Sequence, residues 1–194
     1  MQKPLRRAAP AARSVKDTGA KLVEAAAKEF RQHGFAGTDT NKIARRAGFA
    51  PQTFYRWFGD KTDIFLAVYR AWEEDEKDLL ARLHAEKAPT SALVDAAIAH
   101  HQSFRIFRRS LRQLSVDEPT VRKARAESRR RQIDRFKAWG NASAFSTDEI
   151  ATMLLEMERL CDAVAEGEFA DLGIGEAVPR AEIARLLDRL RDGK

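Results

Sequence analysis

The stretch from Thr38 to Lys61 limits what this chain can fold into more than any other. It reads as two short helices across a tight turn. Asp39 is placed to cap the first, because its carboxylate accepts free backbone N–H groups at a helix start. Ile43, Ala44 and Ala47 give that helix one apolar edge at helical spacing. Gly48 follows, where a left-handed residue costs least and the helix can stop. Pro51 suits the first turn of a second helix, since its missing N–H would be unpaired there anyway. Phe54 and Phe58 lie one turn apart and pack inward, leaving Gln52, Thr53, Tyr55, Arg56 and Trp57 to face outward. This is the helix-turn-helix pattern, whose second helix enters a DNA major groove. Gln and Thr can hydrogen-bond base edges, and Tyr, Lys and Arg can hold phosphates.

The run resembles the DNA-binding signature of the tetracycline-repressor-like (TetR) family of bacterial regulators. The matching residues are Thr38, Ile43, Ala44, Ala47, Gly48, Thr53, Tyr55, Phe58 and Lys61. Asp39 stands in place of a second Thr, and a carboxylate there is repelled by phosphate. Phe49 and Ala50 replace Val-Ser. Trp57 replaces a His and offers an indole N–H, a donor only. The resemblance implies DNA contacts from Thr40, Arg45, Pro51, Gln52, Thr53, Tyr55, Arg56, Trp57 and Lys61. Of these, Thr40, Tyr55, Trp57 and Lys61 would hold phosphates, whereas Gln52, Thr53 and Arg56 would read bases.

Charge agrees with this placement. The net charge is +6, yet residues 1–61 hold 13 Lys/Arg against 5 Asp/Glu, and the other 22 basic and 24 acidic residues nearly cancel. A polyanion-binding head on a neutral body has that distribution. The single cysteine, Cys161, excludes an internal disulfide and fits a reducing compartment. No window approaches the roughly 20 apolar residues that span a bilayer, and Met1 to Lys16 lacks the apolar segment of a secretory signal. The expected location is the cytoplasm.

Six Pro and ten Gly interrupt long runs rich in Ala, Leu, Glu, Lys and Arg, which argues an all-α fold. About nine helices are expected. Residues 1–16 read as a disordered basic arm, a solvated tail or a minor-groove contact. Residues 17–76 read as a three-helix head, with the helix-turn-helix at 39–58, joined by a long helix to a helical body over 77–194. The predicted head core is Leu22, Ala26, Phe30, Phe35, Ile43, Ala47, Phe54 and Phe58. Asp60 and Asp63 open the long fourth helix. After Pro89, the residues Leu93, Ala97, His100, Phe104, Phe107, Leu111 and Leu114 predict one sustained buried seam. His100 on that seam is either a hydrogen-bonded core group or a pH-sensitive group facing a ligand. Arg105, Arg108, Arg109 and Arg112 form a neighbouring stripe, with Asp148, Glu149, Glu156, Glu158, Asp162, Glu166 and Glu168 on a later helix as the obvious partners. An acidic ligand or extra DNA contact is the alternative.

The resemblance also implies an effector cavity and a dimer interface in the body. The cavity set is Trp72, His100, Phe104, Phe107, Phe136, Trp139, Met153 and Met157, and the same residues could equally be plain core. The interface set is Met153, Leu154, Met157, Leu160, Cys161, Val164, Ile183, Leu186, Leu187 and Leu190 on the last two long helices. No phosphate-cradling Gly loop, zinc-ligand spacing or nucleophile motif occurs, so neither an enzyme nor a cofactor or metal is expected. The reading is a homodimeric repressor, held at a palindromic double-stranded DNA operator and released by a small-molecule effector, with no membrane partner. An architectural DNA binder without effector, and a ligand-binding protein whose head has lost DNA, remain open alternatives.

Overall fold

In the computed structural model, which describes residues 12–138 and 144–193, α1 (Ala12–His33) begins five residues before the expected start at Asp17. Residues 12–16 are therefore helical, and the remainder of the expected arm lies outside the described residues. The head continues with α2 (Thr40–Arg46) and α3 (Pro51–Phe54). Asp39 caps α2 by accepting from the Lys42 amide at 2.8 Å, and Gly48 turns the chain at φ +80°. Leu22, Ala26, Phe30, Ile43 and Phe54 are fully buried, whereas Phe35, Ala47 and Phe58 flank them half-covered. Each of the buried large side chains contributes about 1.5–3 kcal/mol relative to exposure.

Three helices alone bury little surface, and the head leans on two body elements rather than one. Helix α4 (Lys61–Ala85) supplies Ile64, Phe65 and Val68. Helix α6 (Arg105–Asp117) supplies Phe107 and Leu111, with Phe65 at 5.1 Å from Phe30 and 4.6 Å from Phe107, ring centre to ring centre. Arg31 Nε donates to the Ser103 carbonyl at 3.0 Å, and Ser110 Oγ accepts from the Phe35 amide at 3.0 Å. Phe104 and Phe107 thus join head to body.

The expected single helix after Pro89 is two, α5 (Thr90–Ser103) and α6, broken at Phe104 with φ −118° and ψ 16°. The buried face of α5 also runs through Val94, Ile98 and His101, one residue on from the expected line. His101 is buried in place of His100, and Arg108 is buried beside Phe107. Helix α7 (Pro119–Lys137) crosses to α8 (Thr147–Glu166), which Ser146 opens in a reciprocal capping arrangement with Glu149. A short α9 (Glu168–Asp171) leads to α10 (Ala177–Asp192), so ten helices occur among the described residues, two of them single turns.

A second core joins Val94 and Ile98 of α5, Ile133 of α7, Ile150, Met153, Leu154, Met157, Cys161 and Val164 of α8, and Ile183, Leu186 and Leu190 of α10. A buried ionic layer lies beside it. Arg108 donates to Asp162 from Nε at 2.6 Å and Nη2 at 3.1 Å, Arg112 reaches Asp162 at 2.7 Å and also pairs with Glu166, and Arg108, Arg125 and Arg129 converge on Glu158. Of the arginine stripe, Arg108, Arg109 and Arg112 pair with the acidic helix, and Arg108 does so buried rather than on the surface.

Candidate functional site

The outer surface of the head is built on three buried side chains, Ile43, Ala44 and Phe54, which hold α2 against α3. Helix α3 has only one regular turn. Its continuation to Phe58 tightens, with Trp57 N to Phe54 O at 2.9 Å and Arg56 N to Thr53 O at 3.3 Å. Gln52, Tyr55, Arg56 and Arg45 are exposed around it, Tyr55 by 60 %, and Thr53 is half-buried. Pro51 takes the first helical position. The Tyr55 hydroxyl lies 3.1 Å from Thr40 Oγ1, so the end of α3 and the first residue of α2 share one hydrogen bond. One phosphate oxygen could accept from both hydroxyls with little rearrangement.

Other signature residues prove structural in this geometry. Thr38 is buried and donates to Glu29 at 2.8 Å, and Arg46 Nε donates to the same carboxylate at 2.5 Å. Burial alone would raise the Glu29 pKa, but the hydrogen bonds from Thr38 and Arg46 hold it below the usual carboxylate value. Lys61 was expected at a phosphate. Its ammonium instead donates to the carbonyls of Phe35 at 2.7 Å and Thr38 at 3.0 Å and sits 4.1 Å above the Phe35 ring. It closes the α1–α2 loop onto α4, and burial pulls its pKa down against the attraction of Asp39. Trp57 is half-buried against α1, where a Cβ on Gly19 would come within 2.7 Å of its ring. The indole therefore packs on Gly19, whereas it was expected to face outward and hold a phosphate. Asp39 is exposed at the start of α2, with its carboxylate used as the cap.

In the body, a cavity of about 380 Å³ opens between α4, α5, α7, α8 and α10. Trp72, Phe136 and Met157 line it as expected. Phe104 and Phe107 do not, because the helix break turns them to the head, and Met153 sits in the second core. His100 stacks on Trp72 outside the lining, and His101 takes its place. Trp139 lies outside the described residues. His101 Nδ1 meets Asp162 at 2.9 Å and Nε2 meets Glu76 at 3.2 Å. Burial and Arg108 depress its pKa, but the two carboxylates outweigh them and the net shift is upward. Against its burial, Asp162 is held far below the carboxylate range by His101 and Arg108, and Glu158 falls to about 2 through its arginines. Burial pushes the Cys161 thiol up to about 12, which makes it inert packing.

The residues expected at a dimer interface face inward in this chain. Met153, Leu154, Met157, Cys161, Val164, Ile183, Leu186 and Leu190 are buried inside this chain, with Leu160 and Leu187 half-buried against them. An apolar stripe that closes its own core is not available to a partner. The outer faces of the same helices are: Leu155 is 45 % exposed on α8 and Val178 79 % on α10, with Leu172 and Ile174 exposed between them. Sequence reasoning singled out neither this exposed set nor His101. The only cue was that Leu155 and Val178 fall out of phase with the buried stripes.

Residues 22–68 match the family model described as bacterial regulatory proteins, tetR family. The chain is 31 % identical over 91 residues to the HTH-type transcriptional repressor SCO4008 of Streptomyces coelicolor, a match covering 47 % of this chain and 46 % of that protein. The match therefore spans just under half the length of that relative. Among solved structures, a TetR-family transcriptional regulator from a Rhodococcus species is similar at TM-score 0.68 and 15 % identity, over 91 % of this chain and 100 % of that one. The multidrug binding protein EbrR, complexed with imidazole, is similar at TM-score 0.65 and 16 % identity, over 87 % and 93 %. At such identities the likeness concerns the fold: a helix-turn-helix head on a helical body. The family match is therefore to the head: residues 22–68 carry the helix-turn-helix domain of the tetR family of bacterial regulatory proteins, and the body shares the fold of the solved regulators.

Proposed function

We propose that this chain is a sequence-specific transcriptional repressor that binds a palindromic operator as a homodimer in the bacterial cytoplasm and lets go when a small molecule fills the body cavity. The observation that carries the reading is the exposed set on the tightened α3 turn, Gln52, Tyr55 and Arg56, braced through the Tyr55–Thr40 hydrogen bond and flanked by Arg45. Tyr55, Thr40 and Arg45 would hold phosphates, and Gln52, Thr53 and Arg56 would read base edges. Lys61 and Trp57 would act indirectly, by fixing the loop and the α1–α3 contact that aim this surface. The relative SCO4008 is a repressor by name and supports the repressor reading.

A dimer would form through Leu155, Arg159, Val178 and Arg185 on the outer faces of α8 and α10, which the burial pattern favours over the inner stripes. Occupation of the cavity would move α4, which carries Trp72 and Glu76 on its wall and Phe65 in the head. That coupling requires unequal ligand affinity for two head spacings. Fluorescence anisotropy of a labelled random-sequence duplex library, titrated with wild type, Tyr55→Phe and Arg45→Ala, tests the DNA surface. Weaker binding of both variants is expected. Affinity equal to wild type in both would reject this surface as the DNA contact.

A further inference from the structure

The cavity wall carries more cationic donors than its own acids can use. Its acids are Glu76 and Glu158, and both are already engaged. Glu158 accepts from Arg108, Arg125 and Arg129, and Glu76 faces His101 at 3.2 Å. Arg108 is also held by Asp162, and Lys77 turns to Glu74 and Asp78 on the outer surface. Arg135 differs. Its Nη2 lies 3.8 Å from Glu73 Oε1, an ion pair beyond hydrogen-bonding reach, while Arg131 donates to the other Glu73 oxygen at 2.7 Å. Gln132 lies one helical turn before Arg135 on α7, half-buried on the same wall.

Most of the remaining wall is apolar, with Leu80, Leu154, Met157, Leu187 and Phe136, and His84 and Tyr69 complete it. The Trp72 ring is not open to a cationic guest. The Trp72 ring already carries the Arg108 guanidinium at 4.6 Å and the His100 ring stacked at 5.1 Å.

We infer that the cavity takes an amphipathic organic monoanion, a carboxylate with an unbranched or lightly branched apolar body, whose head is held by Arg135 and Gln132. A planar carboxylate matches the guanidinium fork, and the Gln132 amide adds a donor one turn away. The volume falls within the roughly 300–1,000 Å³ of small-molecule sites. The inference rests on the effector reading above, but it makes a separate demand on charge.

The test uses the full chain and three probes of equal chain length, decanoate, decanol and decyltrimethylammonium, with affinity measured by isothermal titration calorimetry. Decanoate should bind most tightly and the ammonium least. Arg135→Gln should weaken decanoate on the order of tenfold or more, the loss expected for one charge-assisted hydrogen bond, while leaving decanol affinity unchanged. Arg135→Lys should recover part of the loss. Leu154→Trp, which fills the cavity, should abolish binding of all three. Binding of none of them at millimolar concentration, an ammonium as tight as the carboxylate, or an Arg135→Gln variant equal to wild type would each overturn the proposal. Displacement of a labelled DNA duplex keeps the two readings apart. Decanoate that binds through Arg135 but leaves DNA bound contradicts the effector reading alone, whereas decanol releasing DNA where decanoate does not contradicts the charge assignment alone.

Discussion

Asp162 is the node of the ionic layer, and Asp162→Asn exposes what that layer contributes. The wild-type carboxylate accepts two hydrogen bonds from Arg108, one from Arg112 at 2.7 Å and one from His101 at 2.9 Å, with its side chain only 3 % exposed. Asn keeps the volume but presents an NH2 group to cations and carries no charge. Removing one partner from a buried ion pair costs about 3–5 kcal/mol, because the opposite charge is left behind. Here Glu158 still compensates Arg108 in part, and Glu166 compensates Arg112. The expected loss is therefore at the lower end, about 3 kcal/mol. Urea unfolding followed by circular dichroism at several pH values is the assay.

The pH dependence carries the sharper signature. Asp162 and Glu158 are held below their ordinary values, so their stabilisation is present above the ordinary carboxylate range and fades as pH falls. His101 is raised above the ordinary imidazole value, so its stabilisation is complete below that value and is lost as pH rises through its folded pKa. Wild-type stability from this cluster should thus peak between the carboxylate and imidazole ranges. Asp162→Asn should flatten both limbs. A loss under about 1 kcal/mol, the size expected of an exposed ion pair, or an unchanged pH profile, would refute the assignment of a coupled buried network.

Four further outcomes follow from local geometry. Gly19→Ala should gain about 1 kcal/mol of helix propensity, yet its Cβ would lie 2.7 Å from the Trp57 ring. Displacing Trp57 should weaken DNA binding, and unaltered affinity in an anisotropy titration would show that Trp57 does not aim α3. Gln52→Ala should relax preference at one base position, whereas Tyr55→Phe should weaken all sequences alike; a uniform loss from Gln52→Ala in competition binding would reverse its role. Leu155→Glu with Val178→Glu should yield monomers by sedimentation velocity, and a persisting dimer would place the interface elsewhere. Ser146→Ala should cost about 1 kcal/mol as a lost helix cap, measured by urea midpoint, with no effect if α8 frays there.

The head was legible because its determinants are local. Asp39, Gly48 and Pro51 each fix a backbone conformation within a residue or two, and Phe54 and Ile43 need only helical spacing to find each other. The body was legible as helices and as charge-paired faces, but not in phase. Helix α5 buries Val94, Ile98 and His101, one residue on from the expected Leu93–Ala97–His100 line, and the break at Phe104 sends Phe104 and Phe107 to the head. Nothing in the spacing of apolar residues marks such a break. The α8 stripe illustrates a second limit. Periodicity tells that Met153, Leu154 and Val164 are buried, but not whether a partner or the same chain covers them. Lys61 shows a third: its signature position is matched, yet its ammonium is taken by the carbonyls of Phe35 and Thr38, residues 23 and more positions away.

The central claim is that this chain reads DNA sequence as a symmetric dimer. Repeated selection of bound duplexes from a random pool by the purified full chain, at near-physiological salt, tests it most directly. The account predicts an enriched palindrome whose half-site centres lie about 34–36 Å apart or a multiple of that, with enrichment lost in Gln52→Ala at one position per half-site. Binding without any enriched sequence, or enrichment of a single unrepeated half-site, would contradict it.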